Sequence, residues 1–392
     1  MLLFIKKNHC IPLILIVAYS AMIAQVKDLS YTAHIPKIAS TSAILINSSS
    51  STILAQKNAH EKLPPASLTK ILSLYVIENL LKNGHIHLED KVRISKKARY
   101  MEGSRMFLEQ DSYETVDSLI DGLVVTSGND ATIALAEHVA GSEERFVEMM
   151  NQAAEEIGMQ DSHFQNATGL PDEKHYSTAY DLGLLAHTFN VKHPSSMKRL
   201  SKKWLTYNGI KQHNRNSLLW QDPEVTGMKT GYTKEAGFCL ITSANKKNSL
   251  MITVVLGDKT EHSRNQSTNT LLQFSQRAFD HITFKKDPDI QNSKVWYGSE
   301  KTTRAVLQKE VTISIPKKAD SIEKKIEVAQ NVFAPSSEKT IIGQYELYYD
   351  HKQLISIPLV LEKSLKPGST FGTIRDYLQY QVENIIHVFF NL

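Results

Sequence analysis

Pro64-Pro65-Ala66-Ser67-Leu68-Thr69-Lys70-Ile71-Leu72-Ser73-Leu74-Tyr75-Val76-Ile77-Glu78-Asn79-Leu80-Leu81 is the stretch on which the reading of this chain turns. Two prolines stop an extended segment and open a helix, predicted from about Ser67 to Lys82 and closed by Asn83-Gly84. Leu68, Ile71, Leu72, Leu74, Ile77, Leu80 and Leu81 leave little of its surface polar, which predicts a helix deep in a core rather than on its surface. Ser67 and Lys70 stand three residues apart and share a face. The tetrad Ser-x-x-Lys says little alone, because six occur, the others beginning at Ser195, Ser243, Ser314, Ser321 and Ser336. Only Ser67 opens a long apolar segment and is followed in order by Ser127-Gly128-Asn129 and Lys229-Thr230-Gly231.

That trio supplies a nucleophile, a base and an anion site for acyl transfer. A serine hydroxyl attacks poorly until a base takes its proton, and an ordinary lysine is protonated and useless as one. Burial and a second cation lower a lysine pKa, and Lys229 is the candidate for that cation beside Lys70. Ser67 at a helix start also faces unpaired backbone N–H groups, which suit a developing oxyanion. Ser127 can relay a proton and Asn129 can bond a substrate amide. Ser-x-Asn also recurs at Ser243, Ser263 and Ser267, so those two residues alone would read as turn and cap. Lys229-Thr230-Gly231 is the one Lys-Thr/Ser-Gly in the chain. Its lysine and hydroxyl suit a carboxylate at a strand end, and its glycine lets a substrate backbone approach.

Outward from these motifs, Thr41–Asn47 and Ser51–Gln56 read as a hairpin turned by Ser48, Ser49 and Ser50. Val116 to about Phe189 is mainly helical. One helix runs from Thr115 to near Thr126, one starts with Asp130 as cap, and one spans Phe146–Ile157, so that Ser127-Gly128-Asn129 joins two helices. Strands return after Trp220, at Val225–Thr230, Gly237–Ser243 and Leu250–Leu256, before a helix from about Asn265 to Phe279. Strands at both ends with helices between them predict an α+β fold, a mainly antiparallel sheet joined by the N-terminal hairpin. Composition shifts near Phe284–Pro288, and 287–362 reads as a small β domain. Phe371, Ile374, Leu378, Val382, Ile385 and Phe389 then recur every three or four residues. Arg375, Asp376, Gln379, Glu383 and Asn384 stand opposite them, the pattern of an amphipathic helix over 363–392 that suits a membrane surface.

The whole chain, 392 residues with 41% apolar and 22% charged, has room for two domains and extras. A net charge of +4 with no dense basic block gives no footing for nucleic acid. Lys6 and Lys7, the apolar run Ile11–Val17 and Ala18-Tyr19-Ser20 resemble a signal peptide over 1–24, which predicts export. If Cys10 leaves with that leader, Cys239 is the single thiol and a disulfide framework is excluded.

PPASLTK, GSRMFLE, SGNDATIALAEHVAGS, FVEMMN, STAYDL, HNRNSLLW and GMKTGYTKEAGFCL together resemble the low-molecular-mass penicillin-binding proteins, serine-type D-alanyl-D-alanine carboxypeptidases. The terminal β domain and amphipathic tail resemble those of its membrane-anchored members. The resemblance implies a penicillin-binding, β-lactamase-like transpeptidase fold over 25–286. Ser67 would be the acylated nucleophile and Lys70 its base, with Ser127, Asn129 and Lys229 completing the catalytic set. Arg215 and Thr230 would hold the substrate carboxylate, with Gly231 beside them, and the backbone N–H groups of Ser67 and Tyr232 would form the oxyanion hole. Many members carry His at the position of Tyr232, a change that leaves a backbone role intact. The implied partners are peptidoglycan stem peptides, β-lactams, the bacterial inner membrane from its periplasmic face and, as one assembly, a homodimer. No cofactor, metal or nucleic acid is expected. Three other readings compete. A class A β-lactamase lacks its Glu-x-x-Leu-Asn loop here, between Asn129 and Lys229. A DD-endopeptidase would use the same trio. A silent membrane-bound scaffold would not need it complete.

Overall fold

The computed structural model describes residues 27–29, 33–284, 292–308, 310–317, 322–349 and 351–390. The leader expected over 1–24 and the domain break expected at 286/287 lie outside them. The chain opens with β1 (Lys27–Asp28), β2 (Ser42–Asn47) and β3 (Thr52–Lys57), then α1 (Thr69–Lys82). β4 (Lys91–Arg93), α2 (Lys96–Arg99) and β5 (Tyr113–Thr115) lead into α3 (Val116–Asp121), α4 (Asn129–Ala140), α5 (Glu143–Ile157), α6 (Ala179–Lys192) and α7 (Met197–Leu200). β6 (Trp204–Tyr207), β7 (Ile210–His213), α8 (Leu218–Gln221), β8 (Val225–Thr233), β9 (Gly237–Lys246), β10 (Ser249–Asp258) and α9 (Glu261–Ala278) close the larger unit.

Its sheet has the order β1-β3-β2-β10-β9-β8. β2 pairs antiparallel with β10, so the N-terminal hairpin joins the C-terminal strands as expected, and only β1 runs parallel to its neighbour. Alternation along β2 assigns the two faces: Ile44 and Ile46 pack with the helical core, Ala43 and Leu45 with Leu271 and Leu272 of α9. α1 lies inside the helical core, buried without break from Thr69 to Glu78.

Four local expectations change. Strands return before Trp220, because β6 and β7 form a hairpin, Trp204 opposite His213. Asp130 does not cap α4, since Gly128 holds that position. α3 ends at Asp121, and Gly122–Thr126 continues as a π-helical stretch, which leaves Ser127 left-handed at φ +57°. α9 begins at Glu261, where the Thr260 hydroxyl accepts the Ser263 N–H in a capping box.

Among the described residues the smaller unit is all β up to its terminal helix. β11 (Phe279–Phe284) pairs with β14 (Val311–Pro316). β12 (Asn292–Trp296), β13 (Thr302–Leu307), β15 (Ile322–Val328), β16 (Asn331–Phe333), β17 (Ile341–Tyr349) and β18 (Lys352–Leu361) form a second sheet, order β15-β17-β18-β13-β12-β16. Asn47 Nδ2 donates to Ser314 Oγ at 2.9 Å, which ties the β2–β3 turn to β14. α10 (Thr370–Phe390) ends the chain and docks by its polar side. Asp376 accepts from Lys301 at 2.8 and 3.0 Å and from the Tyr297 N–H at 3.2 Å, and Glu383 accepts from Lys294. Phe371, Ile374, Tyr377, Leu378 and Val382 stay exposed, Phe371 at 88%.

Candidate active site

The prolines deliver the chain into a 3-10 turn, Ala66–Leu68, that precedes α1. Ala66 sits at φ +48°, a costly conformation for a residue with a Cβ. It sets half-buried Ser67 at the mouth of the helix. One turn on, Lys70 Nζ lies 3.0 Å from Ser67 Oγ and donates to the Thr168 carbonyl at 2.6 Å. Lys70 is 0% exposed. Burial holds its pKa well below the ordinary lysine value, and the cations of Lys229 and Arg215 push the same way against the Asp130 carboxylate. These surroundings disfavour the charged form of the amine beside Ser67.

The Thr168 carbonyl is held in place by its own loop. Asn166 Oδ1 accepts the backbone N–H of Thr168, Gly169 and Leu170 and the Thr168 hydroxyl, at 2.7 to 3.2 Å. Gly169 has φ +84°, and a Cβ there would fall 1.8 Å from the Ala66 carbonyl oxygen. Only glycine lets this loop press against the nucleophile turn.

The second motif follows from the π-helical stretch. Gly128 N–H reaches back to the Gly122 carbonyl at 3.0 Å, and the Asn129 N–H bonds Ser104 O at 2.7 Å. Asn129 Nδ2 donates to Glu102 O at 2.7 Å, which fixes the amide orientation. Its Oδ1 is then buried with no partner among the described residues. Asp130 serves this corner from behind, accepting the backbone N–H groups of Met106, Phe107 and Leu108.

The third motif lies within β8, past its middle rather than at its end. Gly231 packs against the nucleophile turn: a Cβ would stand 3.0 Å from Pro65 O and 3.2 Å from Ser67 N. Tyr232 is exposed, its ring 4.4 Å from Phe238. Lys229 is buried, and its amine donates to the Thr230 carbonyl at 2.9 Å rather than to Ser67 or Ser127. Burial, then Arg215, then Arg264 lower its pKa to about 7. Arg215 stands exposed between buried Asn214 and Asn216. Asn214 N–H bonds Lys203 O and Asn216 Nδ2 bonds Gly227 O, which pins the arginine beside β8.

Ser67, Ser127, Asn129, Arg215, Thr230, Gly231 and Tyr232 line one cavity of about 1030 Å³, and Lys70 and Lys229 lie buried behind its wall. A second groove, about 1090 Å³ and lined by Glu78, Asp121, Arg199 and Lys202, is slightly larger. Its Arg199 and Lys202 are already paired with Asp117 and Asp121, Arg199–Asp121 at 3.0 Å, and it gathers none of the three motifs, so size does not choose the site. Sequence reasoning missed Thr168 and Gly169, which the Asn-Ala-Thr-Gly run could have flagged as a turn, and Arg264, a buried arginine on the cavity wall.

Residues 30–260 match the D-alanyl-D-alanine carboxypeptidase family, and residues 280–367 match the C-terminal domain of penicillin-binding protein 5. The D-alanyl-D-alanine carboxypeptidase DacF of Bacillus subtilis is 36% identical over 333 residues, 83% of this chain and 85% of that protein. The crystal structure of penicillin-binding protein 5 from Haemophilus influenzae superposes with a TM-score of 0.76 at 34% identity, covering 85% of this chain and 99% of that one. Penicillin-binding protein D2 from Listeria monocytogenes, in its ampicillin-bound form, gives a TM-score of 0.56 at 26% identity over 61% of this chain and 97% of that one.

Proposed function

Because the chain belongs to the D-alanyl-D-alanine carboxypeptidase family, we propose that Ser67 is the nucleophile of the reaction that family performs. The chain is a serine peptidase that removes the terminal D-Ala from peptidoglycan pentapeptide stems and binds β-lactams. Lys70 takes the Ser67 proton as Oγ attacks the carbonyl between the last two D-alanines. The tetrahedral oxyanion sits between the backbone N–H groups of Ser67 and Tyr232, held close by the missing side chain of Gly231. Asn129 Oδ1, unpartnered and fixed in orientation, accepts the amide N–H of the acyl-donor residue. Arg215 and Thr230 hold the terminal carboxylate, and Lys229 adds positive charge behind them. Ser127 passes a proton to the departing amine. Water then opens the ester, with Lys70 again the base. A β-lactam forms the same ester.

The observation that carries this reading is the 3.0 Å approach of Ser67 Oγ to a fully buried lysine whose charge is disfavoured. The test is incubation with a fluorescent penicillin and, separately, with a pentapeptide ending in D-Ala-D-Ala, alongside Ser67→Ala. Covalent labelling and D-Ala release, both abolished in the variant, are expected. Labelling that persists without Ser67 overturns the assignment.

We also read residues 25–286 as the catalytic domain, 287–362 as a β-domain spacer and 363–392 as a peripheral anchor on the periplasmic face of the inner membrane. No helix among the described residues is long and apolar enough to cross a bilayer. The exposed apolar side of α10, with its carboxylates Asp376 and Glu383 occupied by the β domain, supports a helix lying in the membrane surface. Truncation after Gly368 is expected to release the protein from sedimented membranes.

A further inference from the structure

The catalytic cavity does not stop at Arg215. Its wall continues onto three rings from separate elements: Trp204 at the start of β6, His213 at the end of β7 and Trp220 in α8. Trp204 lies 5.9 Å from both Trp220 and His213, and His213 lies 6.3 Å from Trp220. The two indoles are 46% and 40% exposed. Exposed tryptophans paired on the wall of a cleft are the composition of a contact surface, since each offers large apolar area at small conformational cost. Lys211 Nζ stands 4.7 Å over Trp204 and Lys203 Nζ 5.8 Å over Trp220, so the platform carries positive charge on its flanks.

Its place along β8 fixes what it meets. Asn216, between Arg215 and Trp220, bonds Gly227 O near the start of β8. Gly231 and Tyr232, against the Ser67 turn, belong to the later half of that strand. The order along the cleft is therefore Tyr232, then the carboxylate-binding Thr230 and Arg215, then the rings. With a scissile carbonyl at Ser67 and a terminal carboxylate at Arg215, the rings are the lining of the same cavity next beyond the last residue. A methyl group leaves that part of a cavity of about 1030 Å³ unfilled.

We propose that Trp204, His213 and Trp220 form a subsite for the side chain of the departing C-terminal residue, and that the enzyme releases D-residues with aromatic side chains as well as D-alanine. This rests on the assignment of Ser67 and Arg215 above. The chemistry is unchanged. The amide C–N bond breaks as the Ser67 ester forms, the proton from Ser67 ends on the leaving amine, and water hydrolyses the ester to give the free D-amino acid. The flanking lysines make a cationic side chain the poorest occupant.

The test compares pentapeptides ending in D-Ala-D-Ala, D-Ala-D-Phe and D-Ala-D-Lys on the full chain, with kcat and KM read separately. D-Phe is expected to leave with kcat/KM within about tenfold of D-Ala and at least several-fold above D-Lys. In Trp204→Ala and Trp220→Ala, the D-Phe to D-Ala ratio of kcat/KM falls roughly tenfold, chiefly through KM. Trp204→Phe restores most of that ratio. Fluorescent penicillin labelling monitors the integrity of each variant. A ratio that does not move in either variant, or D-Phe release no better than D-Lys release, overturns the subsite while leaving the catalytic assignment standing. Failure of the wild-type protein to release D-Ala overturns that assignment and the subsite with it.

Discussion

α1 and α10 are both rich in large apolar residues, and they are used in opposite ways. α1 is buried from Thr69 to Glu78 and takes an amine, Lys70, down with it. α10 leaves Phe371, Ile374, Leu378 and Val382 in the open and buries a carboxylate, Asp376, against Lys301. In α1 the surrounding core withholds water from a charge and makes a base. In α10 charges find partners on the β domain, Lys294 with Glu383 and Lys301 with Asp376, while Tyr380 packs 5.1 Å from Trp296 and 5.4 Å from Phe333. The period of a helix identifies its stripe. What the stripe meets is decided by which of its polar groups find a fixed partner.

Each side of that contrast can be broken, and the largest effect belongs to α1. Lys70→Arg keeps the charge but removes any accessible neutral form. Acylation by fluorescent penicillin is expected to slow by at least about 10³-fold, and a variant retaining a tenth of the wild-type rate would refute the role of burial in making the base. Next is the loop that steadies the amine. Gly169→Ala would force the Thr168 carbonyl away from Lys70, and acylation should drop about 10²-fold together with a lower Tm. On the α10 side, Leu378→Glu removes one exposed apolar side chain from the proposed lipid contact. Burial of a leucine is worth about 1.5–3 kcal/mol, so partition onto anionic vesicles should weaken roughly 10–100-fold while labelling of Ser67 persists. Unchanged sedimentation would show that some other surface holds the membrane.

Two smaller effects sharpen the comparison. Lys229 lowers the pKa of Lys70 by repulsion, so Lys229→Gln lets Lys70 hold its proton to higher pH. The acid limb of the acylation profile, which requires neutral Lys70, is then expected to move upward. The shift is largest in its consequence below about pH 7, where Lys229 itself is charged. A limb that stays in place leaves burial, with Arg215, as the agent. Smallest is Asp376→Asn. Lys301 holds that carboxyl below the usual aspartate range, but the lysine itself is 54% exposed and the pair contributes about 1 kcal/mol or less. Faster hydrogen exchange over α10 with an unchanged global Tm is the expected signature.

Much of this was legible in the sequence because it depends on residue type and order. The apolar helix after Pro64-Pro65, the closure of the sheet by the N-terminal hairpin and the gathering of Ser67, Ser127, Asn129, Thr230 and Gly231 on one cavity all follow from pattern. What escaped depends on backbone groups and distant returns. The contact of Lys70 with the Thr168 carbonyl uses an atom every residue possesses, so no side chain announces it. Asp130 reads as a local cap but binds a loop more than twenty residues upstream. The β6–β7 hairpin was missed because Lys211, Gln212 and Asn208 break the alternation that marks a half-buried strand. Its tryptophan matters through tertiary neighbours, not through its own segment.

Gly231 carries one further consequence, for the routes by which this target could escape an antibiotic. Bulk added at that residue would screen Ser67 from a lactam, yet the same Cβ would press on Pro65 O and Ser67 N and close the slot to the cell-wall peptide. Drug and cell-wall substrate are thus refused together. Substitution at residue 231 is therefore no selective route to resistance, which needs a position where the two ligands differ in shape or in the lifetime of the ester.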